Sequence, residues 1–93
     1  MPAPDLIIDA IFGIGMRGRL NDFYLKLINK INALGAAIIA VDSPSGLDAD
    51  TGKPQGDAII ADRTITFGRP KIGFKNHEAK RYIGKLTVAD IGL

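Results

Sequence analysis

Three oxygen-bearing side chains, Asp9, Asp42 and Ser45, stand within or shortly after apolar runs in this 93-residue sequence. Asp9 interrupts the run Leu6-Ile7-Ile8-Asp9-Ala10-Ile11-Phe12, which passes directly into Gly13-Ile14-Gly15-Met16-Arg17-Gly18-Arg19. Glycines at a G-x-G-x-x-G spacing allow positive φ and let backbone N–H groups approach an anion with no Cβ in the way. Asp42 and Ser45 follow a second run, Ala36 to Val41. If both runs are parallel strands, all three oxygens fall at the carboxyl edge of one sheet, where open α/β sheets bind ligands. An oxygen-only set of this kind suits a hard cation or a hydroxylated ligand. Each motif also has a plainer reading: a turn without a ligand for the glycines, a capped backbone N–H for Asp9, an ordinary turn for Ser43-Pro44-Ser45-Gly46. Asp9 resists the plainer reading most, because an ionised carboxylate away from water costs several kcal/mol unless it is paired.

The elements that must position these groups are legible in the spacing. Phe23, Tyr24, Leu27, Ile28, Ile31 and Leu34 recur at three- and four-residue steps, which predicts an amphipathic helix with Asn21 or Asp22 as N-cap and Gly35 turning the chain out. The run Ala36 to Val41 is apolar without alternation, as expected of a strand covered on both faces. Strand, helix and strand make a parallel, right-handed βαβ unit. Residues 42–52 carry turn formers at nearly every step and predict no helix. Ala58 to Ala61 is a short apolar segment, Arg63 to Phe67 a third strand, Lys75 to Arg81 room for one helical turn, and Leu86 to Ala89 a fourth strand. The expected fold is α/β: one sheet of about four strands, mostly parallel, with too few helices to cover both faces. Another chain, or further parts of a larger domain, must cover the rest.

Composition narrows the classes. Apolar residues make up 46% and charged residues 24%, with 12 Lys and Arg against 10 Asp and Glu, an ordinary globular balance. A chain of this size removes only roughly 60 to 65% of its unfolded surface from water, so modest stability is expected. No cysteine is present and only one histidine, which excludes a disulfide framework and a thiolate zinc site. The basic excess lies between Lys71 and Lys85, too local for the broad face of a duplex binder, so nucleic acid is not an expected partner. No apolar stretch approaches the length of a membrane span and the N-terminus lacks a secretory pattern, so the expected location is the cytoplasm. His77 reads as an exposed loop residue, and Asp48 and Asp50 as turn formers.

The glycine loop and Asp42 satisfy a dinucleotide fingerprint on pattern alone. Asp9 within the strand and Pro44 after the next one argue against a dehydrogenase. Taken with the rest of the chain, the residues resemble the NAD(P)H-hydrate epimerase family, the YjeF N-terminal domain. The resemblance is carried by Asp9-Ala10-Ile11-Phe12-Gly13-Ile14-Gly15, by Val41-Asp42-Ser43-Pro44-Ser45-Gly46-Leu47-Asp48-Ala49-Asp50-Thr51-Gly52, by Ala61 to Gly68, by Lys71 and Gly73, and by Val88-Ala89-Asp90-Ile91-Gly92. Its most specific part is the segment from Val41 to Gly52. It implies a Rossmann-like αβα sandwich that interconverts the R and S epimers of hydrated NADH and NADPH. It further implies that Asp9 and Ser45 help to hold a potassium ion, and that Gly13, Ile14, Gly15, Met16, Arg17, Gly18, Arg19 and Asp42 contact the substrate.

Two departures stand out. The family's domains are longer, and their first half carries an Asn-Asn-Gly-Gly-Asp-Gly loop that this sequence lacks; residues 1–93 therefore resemble the C-terminal half of the domain, a single partial domain. Ser43 stands where a branched apolar residue is usual. For the chemistry, Asp42 is the expected general acid and base, and carrying a proton near neutral pH calls for its burial. The expected partners are the hydrated nucleotide and either further copies of the chain or an N-terminal half. A non-catalytic nucleotide- or protein-binding module derived from the same domain is the alternative.

Overall fold

Four short runs pair into one sheet in the order in which they occur along the chain. The computed structural model describes residues 5–10 and 22–90. Its strands are β1 (Leu6–Asp9), β2 (Ala37–Val41), β3 (Arg63–Phe67) and β4 (Lys85–Ala89), in spatial order β1-β2-β3-β4 and parallel throughout. Helix α1 (Asp22–Asn32) precedes β2, and between β3 and β4 lie two 3-10 turns, Ile72–Lys75 and His77–Ala79, and a four-residue helix α2, Lys80–Ile83. The helical turn expected over Lys75 to Arg81 is thus split: a 3-10 turn capped by the Asn76 side chain runs straight into α2.

Helix α1 forms because its apolar positions fall on one side, with Asp22 in the first turn and Lys30 in the last complementing the helix dipole. The buried stripe is narrower than the periodicity indicates. Ile28 is enclosed, with Tyr24, Leu25 and Ile31 packed beside it, whereas Phe23 is 69% exposed and Leu34 lies past the helix end. Asn21 lies outside the described residues, and Gly35 takes φ +75° as the chain leaves the helix.

Side chains alternate across a strand, and parallel register places Ile7 with Ile38 and Ala40 with Thr64 on one face. That face is covered. Ile28, Ile38, Ala40, Ile59 and Ala61 form one buried cluster, and Leu47, Ala58, Phe74, Ala79 and Ile83 form a second against Leu86. Leu6 and Ile8 lie on the opposite face and are half exposed, as is Phe67. The even burial expected for the second strand is therefore not what β2 shows: its burial alternates, because the described cover packs on one side of the sheet only.

The connection from β2 to β3 has no helix, as its turn residues require. Its segment 58–61 crosses the core as irregular chain, and each of its polar groups that is buried needs a partner. Asn32 at the end of α1 supplies two of them, donating from Nδ2 to the Ala58 carbonyl (3.0 Å) and accepting from the Ile60 N–H (2.8 Å). Ile59 N–H donates to the Ser45 carbonyl and Ala61 N–H to that of Tyr82. Among the described residues no helix is long and apolar enough to cross a membrane.

Candidate active site

The site residues gather where the sheet topology puts them, at the carboxyl ends of the strands. Asp9 is the last residue of β1, and its side chain is almost wholly buried at 1% exposure. Its two carboxylate oxygens accept from Ser45: the backbone N–H at 2.7 Å and the hydroxyl at 2.5 Å. The cap anticipated as the plainer reading of Asp9 is therefore real, and it joins the pair singled out as cation ligands. Ser45 can reach Asp9 because Pro44 and Gly46 turn the chain sharply there. Gly46 has φ +89°, and a Cβ on it would sit 2.3 Å from the Asp57 carbonyl oxygen.

Burial of Asp9 leaves a charge to balance. Its partners are a neutral amide and a neutral hydroxyl, and among the described residues no lysine, arginine or histidine pairs with it. A carboxylate in that setting fits a neighbouring cation, since hydrogen bonds from neutral donors offset only part of the desolvation.

Asp42 follows β2 directly and extends its ladder, its N–H donating to the Ile65 carbonyl at 2.7 Å. It is the one non-glycine residue with positive φ, +73°, among those described. This conformation turns the chain out of the strand into Ser43-Pro44. The Asp42 carboxylate pairs with the Lys71 ammonium at 2.8 Å, and the Thr66 hydroxyl lies 3.4 Å from the same oxygen. The side chain is 32% exposed. The burial expected of Asp42 is thus absent, because Asp42 sits at the open sheet edge beside a cation. Asp42 makes no hydrogen bond to Asp9 or Ser45 among the described contacts, so the edge holds two adjacent clusters rather than one.

Lys71 does not stand out by residue type and spacing, although it stands in the family pattern two residues before Gly73. The structure explains that pairing. Gly73 N–H donates to the Ala49 carbonyl at 2.7 Å, and a Cβ at Gly73 would lie 2.3 Å from the Gly52 nitrogen. Conversely, a Cβ at Gly52 would lie 2.1 Å from the Gly73 oxygen. The loop after β2 and the loop after β3 thus meet backbone to backbone. Asp48 makes a turn, its Oδ1 accepting from the N–H groups of Asp50 and Thr51, and His77 is exposed, both as expected. Ser43 has its hydroxyl buried with no hydrogen-bond partner among the described residues, consistent with a position that suits an apolar side chain. Gly13, Ile14, Gly15, Met16, Arg17, Gly18 and Arg19 lie outside the described residues.

A family model described as YjeF-related protein N-terminus matches residues 1–73. The chain belongs to that family. It is 45% identical over 86 residues to a protein named NAD(P)H-hydrate epimerase from Limosilactobacillus fermentum, covering 92% of this chain and 41% of the relative. It is 40% identical over 89 residues to the bifunctional NAD(P)H-hydrate repair enzyme Nnr of Dictyoglomus turgidum, covering 96% of this chain and 17% of the relative. An NAD(P)H-hydrate epimerase of Rhodopirellula baltica is 37% identical over 93 residues, the whole of this chain and 38% of the relative. The chain spans about two fifths of the length of the epimerases it matches. The all-parallel four-stranded α/β sheet agrees with a Rossmann-like domain of the YjeF type.

Proposed function

We propose that the chain forms part of an NAD(P)H-hydrate epimerase, contributing the carboxyl edge of the sheet on which hydrated NADH or NADPH is held and its hydroxyl-bearing ring carbon inverted. The observation that carries this reading is the adjacency, at one sheet edge, of a buried Asp9–Ser45 pair and an accessible Asp42 ion-paired to Lys71. The hydroxyl carbon of the substrate is bonded to a ring nitrogen whose lone pair expels hydroxide and leaves an iminium. Water returning to either face scrambles the centre. A general acid must protonate the departing hydroxyl and then, as a base, take a proton from the incoming water. Asp42 is assigned that work, and the loop Gly13 to Arg19 is assigned to hold the nucleotide.

Asp9 and Ser45 are the residues that would hold a potassium ion. Once bound, the ion supplies positive charge that balances the buried carboxylate and keeps the loop after β2 in place. The reading places the protein in the cytoplasm and completes its site with an N-terminal half or with further copies of the chain. It is tested by incubating the R epimer of hydrated NADH with the chain alone and with the chain joined to the N-terminal half of the Limosilactobacillus fermentum relative, over a series of potassium concentrations. Conversion to the S epimer is expected, with Asp42→Asn lowering turnover about 10²- to 10⁴-fold and shifting KM little. Asp9→Asn is expected to raise the potassium concentration needed for half-maximal rate. Binding of the nucleotide with no epimerisation in either form identifies a non-catalytic module instead.

A further inference from the structure

We propose that Lys71 is the positioning residue of this site: it fixes the Asp42 carboxylate by one oxygen and leaves the other free for the reacting hydroxyl. The inference rests on the reading of Asp42 as the acid–base group and goes beyond it, because it makes the working unit a carboxylate–ammonium pair contributed by two different loops.

The geometry separates the two carboxylate oxygens. Lys71 Nζ lies 2.8 Å from Asp42 Oδ1, and the Thr66 hydroxyl contacts the same atom at 3.4 Å, the outer limit of a hydrogen bond. Asp42 Oδ2 takes no hydrogen bond from any described residue. Thr66 alone is too distant to hold the carboxylate, so the short contact is the one that sets its orientation. The Asp42 backbone is fixed independently, by its left-handed conformation and by the bond from its N–H to Ile65.

Lys71 is anchored just as firmly from its own side. Its carbonyl accepts from the N–H of Phe74, whose ring is in the core, and Gly73 is bonded to Ala49 in the loop that also carries Asp42. The stem of the lysine therefore starts from a fixed point on the neighbouring loop. Both side chains remain about a third exposed, 30% for Lys71 and 32% for Asp42. An ion pair this open to solvent adds little to folding stability, so its presence is not accounted for by the fold. A pair at the mouth of the site, with one carboxylate oxygen committed and one open, is accounted for by presentation of the open one.

The test measures epimerisation of hydrated NADH by the most active of the forms described above, carrying Lys71→Met, Lys71→Arg or Asp42→Asn. Lys71→Met is expected to lower kcat about 10- to 100-fold, the scale of a misplaced reacting group, while KM and the melting temperature hold. Lys71→Arg keeps a cation within reach of Oδ1 and is expected to restore most of the lost turnover. If Asp42→Asn abolishes turnover while Lys71→Met leaves kcat unchanged, the positioning role is wrong and the reading of Asp42 survives. If Lys71→Arg is as impaired as Lys71→Met, the role is also wrong, because the amine itself is then required. Full turnover in Asp42→Asn overturns the acid–base reading on which the inference stands, and inactivity of the unsubstituted protein overturns both.

Discussion

Single atoms decide much of what the site can do. Asp9 and Ser45 show how one carboxylate can hold a neighbour twice: one oxygen caps the Ser45 N–H while the other accepts from the serine hydroxyl. Ser43 shows the reverse, a buried polar atom with no hydrogen-bond partner among the described residues. A buried hydroxyl without a partner forfeits its hydration and gains nothing in exchange. Ser43→Ala is therefore expected to raise stability by about 1 kcal/mol in a denaturant titration, with an unchanged slope. A loss of stability shows instead that the hydroxyl is satisfied in solution. Asp9, Asp42 and Ser45 are legible in the sequence because a carboxylate beside an apolar run and a serine in a Pro-Ser-Gly turn are visible as types. Lys71 is not, since a lysine in a basic stretch looks like solvated surface until its partner's position is known.

At the scale of elements, the sheet was readable and its packing less so. The boundaries of β3, and those of β2 and β4 to within a residue, follow from runs of β-branched and apolar residues between turn formers. Which face of β2 is covered could not follow, because an uninterrupted apolar run carries no alternation to read. Phe23 belongs to the helix stripe by its spacing yet lies exposed, its ring set edge-on to Tyr24. The least visible element is the irregular segment 58–61, whose interior position depends on a side chain 26 residues earlier. Asn32 reads as a polar residue of a solvated helix end, but it bonds both the Ala58 carbonyl and the Ile60 N–H. Asn32→Ala is expected to cost about 1 to 3 kcal/mol, since it strands two partly buried backbone groups. Asn29→Ala on the exposed side of α1 should stay within about 0.5 kcal/mol. Equal melting curves for the two variants contradict the bracing role of Asn32.

At the scale of the whole molecule, the described cover lies on one side of a sheet whose strands are all parallel. Leu6 and Ile8, each at least 50% exposed, line the other side on an edge strand. Apolar surface and an unpaired edge together favour association. The chain expressed by itself is expected to show concentration-dependent species in sedimentation, and joining it to the N-terminal half of the Limosilactobacillus fermentum relative should abolish them. A monodisperse monomer at high micromolar concentration, with a cooperative melt, rules this out. The chain spans 41% of the length of one NAD(P)H-hydrate epimerase that it matches at 45% identity, so the proposed activity rests on the family resemblance more than on the described residues.

The contact between Gly52 and Gly73 has a consequence for how such a sequence can drift. Where two side chains touch, enlargement of one can be answered by reduction of the other, so pairs of changes remain open to evolution. Here both residues are already the smallest available, and either added methyl group would press into the other's main chain. No second change at the partner can relieve the first. The two positions are closed to compensated exchange, and with them the spacing that sets Lys71 opposite Asp42 is held while the surface around it varies.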